Sequence, residues 1–259
     1  CDNKEKLFIE IISEDIEFVL EEIKRQNEII GFKNVLYERE IIIEKANYIF
    51  KGFIDKILYQ EEFGSTNLVI IDYKTGNIDI NLKYLPYGLS LQLPIYLYLV
   101  KNSKLFNNPK FVGFYLQHIL DKNIGRDYND TYDNVRRNRL KLTGFSNKDI
   151  HYLSLFDKTY ENSEIVKSLK IKNDGNFSAN SKVLDDKEIE KIIELTEKNI
   201  VENADNILNA NFAINPKKIG FTKDLGCEFC RFKDICYKQD KDYVILEDIK
   251  DLDFLRGDE

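Results

Sequence analysis

The stretch Ile70-Ile71-Asp72-Tyr73-Lys74-Thr75-Gly76 reads as a buried β-strand that ends in a turn and carries an acid and a lysine two positions apart. Side chains in a strand alternate between faces, so Asp72 and Lys74 are expected on one side and Tyr73 on the other. Burying a carboxylate and an ammonium costs on the order of several kcal/mol per ion, so an apolar run that ends in both suggests a chemical use. Upstream, Gly52-Phe53-Ile54-Asp55-Lys56-Ile57 places a second acid inside another apolar strand. Two carboxylates and a lysine on neighbouring strands are the parts of a divalent-metal site for phosphodiester hydrolysis. Asp55, Asp72 and the Tyr73 carbonyl would be the oxygen ligands of Mg²⁺ or Mn²⁺. Lys74 would position or help deprotonate the attacking water and oppose charge on the phosphate. The plainer alternative is a structural Asp72–Lys74 pair, with Asp55 nearby by chance.

Outward from this strand, the pattern predicts further elements. Strands at 35–43 and 47–59 form a hairpin around residues 44–47, and a polar turn at 61–67 leads into a strand over 68–74, which together make an antiparallel meander. Before them, residues 14–31 read as an amphipathic helix with Ser13 as N-cap, Gly31 as its end, and a stripe of Ile16, Val19, Leu20, Ile23 and Ile30. After the central strand, Pro86 opens a helix over 86–101, in which Gln92 and Tyr96 share a face. These two residues would brace the site or contact a phosphate. A strand at 111–119 then makes the sheet mixed. Residues 121–145 are polar and then basic, 146–182 read as irregular with a turn at Asn173-Asp174-Gly175, and 186–209 form a long helix capped by Asp185 with Glu188 at N3. Its expected buried stripe is Ile189, Ile192, Ile193, Ile200, Ala204 and Ile207.

At 259 residues, with 43% hydrophobic and 32% charged residues, the chain fits a globular domain over 1–240 followed by an acidic tail over 241–259. A net charge of −7 argues against a protein that coats nucleic acid without specificity, but leaves room for an enzyme with a local basic groove. No run approaches the roughly 18 apolar residues of a membrane span and no signal peptide is visible, so a cytoplasmic location is expected. The chain starts at Cys1 and has no Met, where about five are usual; this fits a fragment, or a sequence from which modified methionines are missing.

The segment Gly226-Cys227-Glu228-Phe229-Cys230-Arg231-Phe232-Lys233-Asp234-Ile235-Cys236 clusters three thiols in a loop at 226–237. In a cytoplasmic chain this suggests Zn²⁺ or an iron–sulfur cluster over a disulfide, and the spacing does not choose between the two metals; unliganded thiols are the bland alternative. The basic run Arg136, Arg137, Arg139 and Lys141 is the candidate contact to a DNA backbone, against the alternative of a solvated face. His118 and His151 read as packed or surface histidines.

Gly-x-x-Asp-Lys-Ile, Ile-Asp-Tyr-Lys-Thr-Gly and Gln-Leu-x-x-Tyr occur in that order on strand, strand and helix. Together they resemble the RecB-type nuclease domain of the PD-(D/E)XK superfamily, an α/β fold with a restriction-endonuclease-like mixed β-sheet flanked by helices. Over residues 35–240 the chain is similar, more narrowly, to the C-terminal nuclease domains of the AddB/RexB family. The residues that carry this are 87–98, Phe114-Tyr115-Leu116-Gln117-His118-Ile119, Asn215-Pro216 and the cysteine loop. The resemblance implies a Mg²⁺-dependent DNA exonuclease with Asp55, Asp72 and Lys74 catalytic. Its substrate would be single-stranded DNA fed from a helicase, and its partner the A-type subunit of a heterodimeric helicase–nuclease in double-strand-break repair. It also implies a [4Fe–4S] cluster on Cys227, Cys230 and Cys236, with a distant N-terminal cysteine as fourth ligand. Cys1 is the candidate, although residues 2–5 lack the Pro and aromatic residues usual there. Lys56 stands where the family often has Arg. No His precedes His118 to serve as an upstream metal ligand, which leaves Glu38 or Glu40 for that place. Other iron–sulfur nucleases of the superfamily, of CRISPR-adaptation or replication type, and a non-catalytic DNA-binding scaffold are the competing readings.

Overall fold

The computed structural model describes residues 3–76, 78, 80–119, 130–220, 223–224, 226–227, 230–247, 250 and 252–256. Helix α1 (Asn3–Ile29) leads into strands β1 (Asn34–Glu44), β2 (Ile49–Glu62) and β3 (Ser65–Lys74). These three pair antiparallel, as the alternation and turn residues predict. The β2–β3 turn is tighter than expected: Phe63 and Gly64 both take positive φ, 46° and 79°, the two-residue geometry that matches strand twist. A 3₁₀ turn (Leu82–Tyr87) and helix α2 (Gln92–Asn102) cross over to β4 (Pro109–His118), which runs parallel to β3. The chain continues through α3 (Tyr132–Arg139), β5 (Thr143–Asn147), α4 (Ile150–Phe156), β6 (Val183–Leu184) and α5 (Asp186–Leu208). Among the described residues the main sheet has the order β1-β2-β3-β4-β5-β6 and is mixed, as expected from the crossover.

Two cores flank this sheet. Leu68 and Ile70 of β3 pack with Leu93, Leu97, Leu99 and Val100 of α2 and with Ile189, Ile192 and Ile193 of α5. Val69 and Ile71 face the other way, onto Leu153 and Phe156 of α4. Leu68, Val69, Ile70 and Ile71 are all fully buried, each contributing about 1.5–3 kcal/mol. That outweighs the cost of one partly compensated carboxylate at the strand end. Helix α2 passes close over β2 at Gly52: a Cβ there would sit 2.7 Å from Cδ1 of Leu99, so a larger residue would make that side chain shift.

Several helices differ from expectation. Pro86 lies inside the 3₁₀ turn and does not open a helix; Gly88 (φ 74°) and Ser90 (φ 57°) break the backbone, and α2 begins at Gln92. Helix α1 starts at Asn3 and not at Ser13, so Ser13 is an interior residue. Its buried inner face is polar, Glu22 and Gln26, while Ile16 and Leu20 of the expected stripe are exposed. Gln117 of β4 donates to Gln26 Oε1 (2.8 Å), and both amides donate to the Leu140 carbonyl (3.1 and 3.2 Å). The region read as irregular contains α4. The turn at Asn173-Asp174-Gly175 forms as expected, with Gly175 at φ 80°. Helix α5 carries the expected capping box: the Glu188 amide donates to Asp185 Oδ1, the Asp185 amide to Glu188 Oε2, both at 2.9 Å. At its far end Ile207 is 64% exposed, so the stripe stops packing after Ile200.

Beyond Pro216, β7 (Lys217–Ile219), β8 (Lys223–Asp224) and β9 (Val244–Leu246) form a small sheet. Described parts of the stretch expected to be an acidic tail are fastened: β9 pairs parallel with β7, and Leu252 and Leu255, at the short helix α6 (Asp253–Arg256), enter the main core. No helix among the described residues is long and apolar enough to cross a membrane.

Candidate active site

The site is assembled at the C-terminal end of β3. Lys56 pairs with Ile71, which makes Asp55 and Asp72 the next positions on the two strands. Alternation alone would not bring Asp55 round cleanly. Ile54 and Ile57, three apart, enter the same core, so β2 changes face between them. The β1–β2 ladder skips one step there, between Tyr37↔Lys56 and Arg39↔Ile54, where Glu38 takes φ 44°. The Tyr73 amide donates to Asp55 Oδ2 at 2.8 Å and holds the acid across the strand pair.

Asp72 is 2% exposed. Its Oδ1 accepts from Gln92 Nε2 (2.8 Å) and from the Tyr96 hydroxyl (3.1 Å). Its Oδ2 lies 2.5 Å from Lys74 Nζ, but that approach is a charge contact poorly aligned as a hydrogen bond, and no other donor among the described residues reaches this atom. Lys74 Nζ also donates to Gln92 Oε1 at 2.7 Å. One side-chain amide therefore grips the acid with its nitrogen and the lysine with its oxygen, and Gln92 Nε2 also meets Tyr96 Oη at 3.1 Å. The structure brings together Asp55, Asp72, Lys74, Gln92 and Tyr96.

Local electrostatics keep both tyrosines protonated. Burial, followed by the charge and hydrogen bond of Asp72, pushes the Tyr96 phenol up to about 12 against a lowering effect of Gln92. Burial, followed by Tyr37 and Asp55, pushes Tyr73 up to about 12. Lys56 faces the opposite side of the sheet, 5.9 Å from the Tyr37 ring centroid, and burial pulls its ammonium down.

These donors fit a hard divalent cation. Mg²⁺ is typically held by one or two carboxylates and completes its shell with water and phosphate oxygens. Asp55 and Asp72 supply that number, and Asp72 Oδ2 is a buried oxygen without an aligned donor. The Tyr73 group seen at the site is its amide; its carbonyl as a ligand remains an expectation. Glu40 pairs with Lys51 at 3.6 Å, and Glu38 is exposed. Among the described residues no group of three or more His, Cys, Asp or Glu converges.

The cysteines need a larger ligand set, since zinc and iron–sulfur clusters take four. Cys227, Cys230 and Cys236 are half-buried and outside any disulfide, and the Cys230 amide closes a turn onto the Cys227 carbonyl at 3.2 Å. Among the described residues their side chains do not gather into a metal-holding group. Cys1 lies outside the described residues. As arranged among the described residues, the three thiols do not fit a cluster.

The basic run is divided. Arg136 donates to Asp15 Oδ1 at 2.7 Å and stacks 3.9 Å over Phe18, which fastens α3 to α1. Arg137 lies 3.7 Å from Glu22 and is 48% exposed. Arg139 is half-buried, and Lys141 donates to the Ser163 carbonyl at 3.2 Å while burial lowers its pKa. His118, read as a bystander, stands beside Lys74 in the β3–β4 ladder. The parity of residues 114, 116 and 118 could have indicated this once β3 and β4 were known to be neighbours.

Comparison with known proteins identifies the family. Residues 5–237 match the family model of the PD-(D/E)XK nuclease superfamily. Similar curated proteins are named as the B-type subunits of ATP-dependent helicase/deoxyribonucleases. That of Staphylococcus saprophyticus is 32% identical over 202 residues, 72% of this chain and 17% of the relative. That of Clostridium acetobutylicum is 28% identical over 244 residues, 87% of this chain and 21% of the relative. That of a Thermoanaerobacter species is 27% identical over 246 residues, 89% and 21% respectively. The chain thus spans about a fifth of the length of these relatives. A mixed sheet flanked by helices, the acids and lysine gathered at the end of its third strand, and a family match over most of the sequence place this chain in the PD-(D/E)XK nuclease superfamily.

Proposed function

We propose that the chain is the nuclease module of a bacterial helicase–nuclease and hydrolyses phosphodiester bonds of single-stranded DNA with Mg²⁺ or Mn²⁺. The observation that carries this reading is the Gln92 amide bridging Asp72 and Lys74, with Asp55 on the adjoining strand. Asp55 and Asp72 would hold the cation, which when bound supplies Lewis acidity toward water and phosphate. Lys74 presents an ammonium already oriented by Gln92, ready to oppose charge that develops on the phosphate or to hold a water by one of its protons. Tyr96, protonated across the physiological range, keeps Asp72 Oδ1 occupied and leaves Oδ2, beside Lys74 Nζ, as the oxygen without an aligned donor. Because these bonds exist before substrate arrives, little reorganisation is needed at the moment of reaction.

The names of the similar proteins, subunits B of ATP-dependent helicase/deoxyribonucleases, support a DNA substrate and a place in a multi-subunit assembly. An A-type helicase partner, double-strand-break repair and a cytoplasmic location are implied by family resemblance. A cluster on Cys227, Cys230 and Cys236 is implied by family resemblance alone. An exonuclease is distinguished from an endonuclease by its need for an end. The test compares end-labelled linear single strands, linear duplex and closed circular single strands, in Mg²⁺ and in EDTA. The expected result is cleavage of the linear single strand in Mg²⁺ only. Equal cutting of the circle would overturn the exonuclease mode, and cutting in EDTA would overturn metal dependence.

A further inference from the structure

His118 ends β4 opposite Lys74 in the parallel ladder. Leu116 and Phe114, two and four positions earlier, point into the α2-side core, so His118 lies on the sheet face that carries Asp72 and Lys74. Its Nε2 is 2.6 Å from the carbonyl oxygen of Gly76. A carbonyl can only accept, so in this contact Nε2 carries the hydrogen. The next residue, Ile119, donates its amide to the Lys74 carbonyl at 3.0 Å. The end of β4 therefore grips the chain at Lys74 and again two residues later.

The Lys74 side chain is fixed at its tip by Gln92 and Asp72. Its backbone, however, sits where the strand gives way to an exposed turn at Thr75 and Gly76. A strand end with its last ladder bond alone is prone to local opening. A side-chain bond placed beyond that ladder holds the exit in one path, and a shift of about 1 Å at a reacting group can cost on the order of a hundredfold in rate.

We propose that His118 is a positioning residue for Lys74: by holding the Gly76 carbonyl it fixes the strand exit that aims the lysine ammonium at Asp72 and the scissile phosphate. The effect on turnover rests on the nuclease reading of the site; the hold on the turn does not.

Two variants separate the roles. H118F keeps a ring of similar size and removes the donor, whereas H118Q offers an amide N–H at comparable reach. With melting temperature as a control for folding, H118F is expected to lower kcat on the order of tenfold, with KM within about twofold of wild type. H118Q is expected to recover activity to within about threefold. Hydrogen exchange at the Thr75 and Gly76 amides should accelerate in H118F and not in H118Q. H118F within twofold of wild type, or H118Q falling as far as H118F, would overturn the proposal. Should the wild-type chain not cut DNA, the nuclease reading fails by itself, and exchange decides the rest: faster exchange in H118F alone supports the hold, and unchanged exchange overturns it.

Discussion

The end of β3 and the cysteine segment at 226–237 both drew attention as short motifs of reactive side chains, yet the fold treats them differently. At β3 each reactive group is fixed by an element distant in sequence: Asp55 by the Tyr73 amide, Asp72 by Gln92 and Tyr96 of α2, and Lys74 by Gln92. In the cysteine segment the described backbone bonds are local turns, from Cys230 to Cys227, Lys233 to Cys230 and Ile235 to Phe232, and among the described residues the thiols do not gather into a metal-holding group. Spacing in a sequence states which groups can meet. Sheet register and crossover packing decide which ones do.

This contrast can be broken in order of expected effect. Lys74→Met should lower cleavage by about 10²–10³-fold, the range for removing a preorganised electrostatic group. It should also cost about 1–3 kcal/mol in a denaturant melt, because Asp72 is left buried without its partner while Lys74 itself is partly exposed. Unchanged stability would mean that the pair is not the main compensation for Asp72. Gln92→Ala removes both bridging bonds and should cost about tenfold to a hundredfold in kcat with little change in KM; a pure KM effect would recast Gln92 as a substrate contact.

Smaller effects follow. The Tyr96 pKa is raised in the fold, from 10.0 to about 12, so its contribution to stability is present below about pH 10 and is lost as pH rises toward 12. Tyr96→Phe should flatten the alkaline loss of stability in that window, and an unaltered profile would assign the loss to other groups. Cys236→Ser should change cleavage by less than about twofold, since the described bonds that hold Asp55, Asp72 and Lys74 do not involve the thiols. A loss comparable to that of Gln92→Ala would show that the two regions are coupled.

The sequence was most legible where one periodicity dominated. Asp72, Tyr73 and Lys74 alternate faces as a period of two requires, and the Asp185–Glu188 box marks the start of α5 to the residue. It was less legible where long-range contacts overrode local signals. Pro86 satisfies the first-turn rule for a helix and equally suits a 3₁₀ turn, and Gly88, against which Asn199 of α5 packs, keeps the two apart. Ser13 has the chemistry of an N-cap, but α1 runs through it. The buried face of α1 is made by Glu22 and Gln26, polar residues that no apolar pattern selects and that are tolerated because Arg25, Gln117 and the Leu140 carbonyl satisfy them. The face change at Asp55 and the nearness of His118 to Lys74 depend on strand neighbours, which a single sequence does not reveal.

In the proposed function, Asp72 is a carboxylate kept buried for catalysis and not for stability. Asp72→Asn retains an acceptor for Gln92 and Tyr96 and removes the charge, so cleavage of labelled single-stranded DNA in Mg²⁺ and a thermal melt on the same samples test it directly. The predicted result is a loss of cleavage of about a thousandfold or more with a melting temperature equal to or above that of the wild type. Wild-type cleavage by the variant, or a lowered melting temperature with cleavage intact, would contradict it.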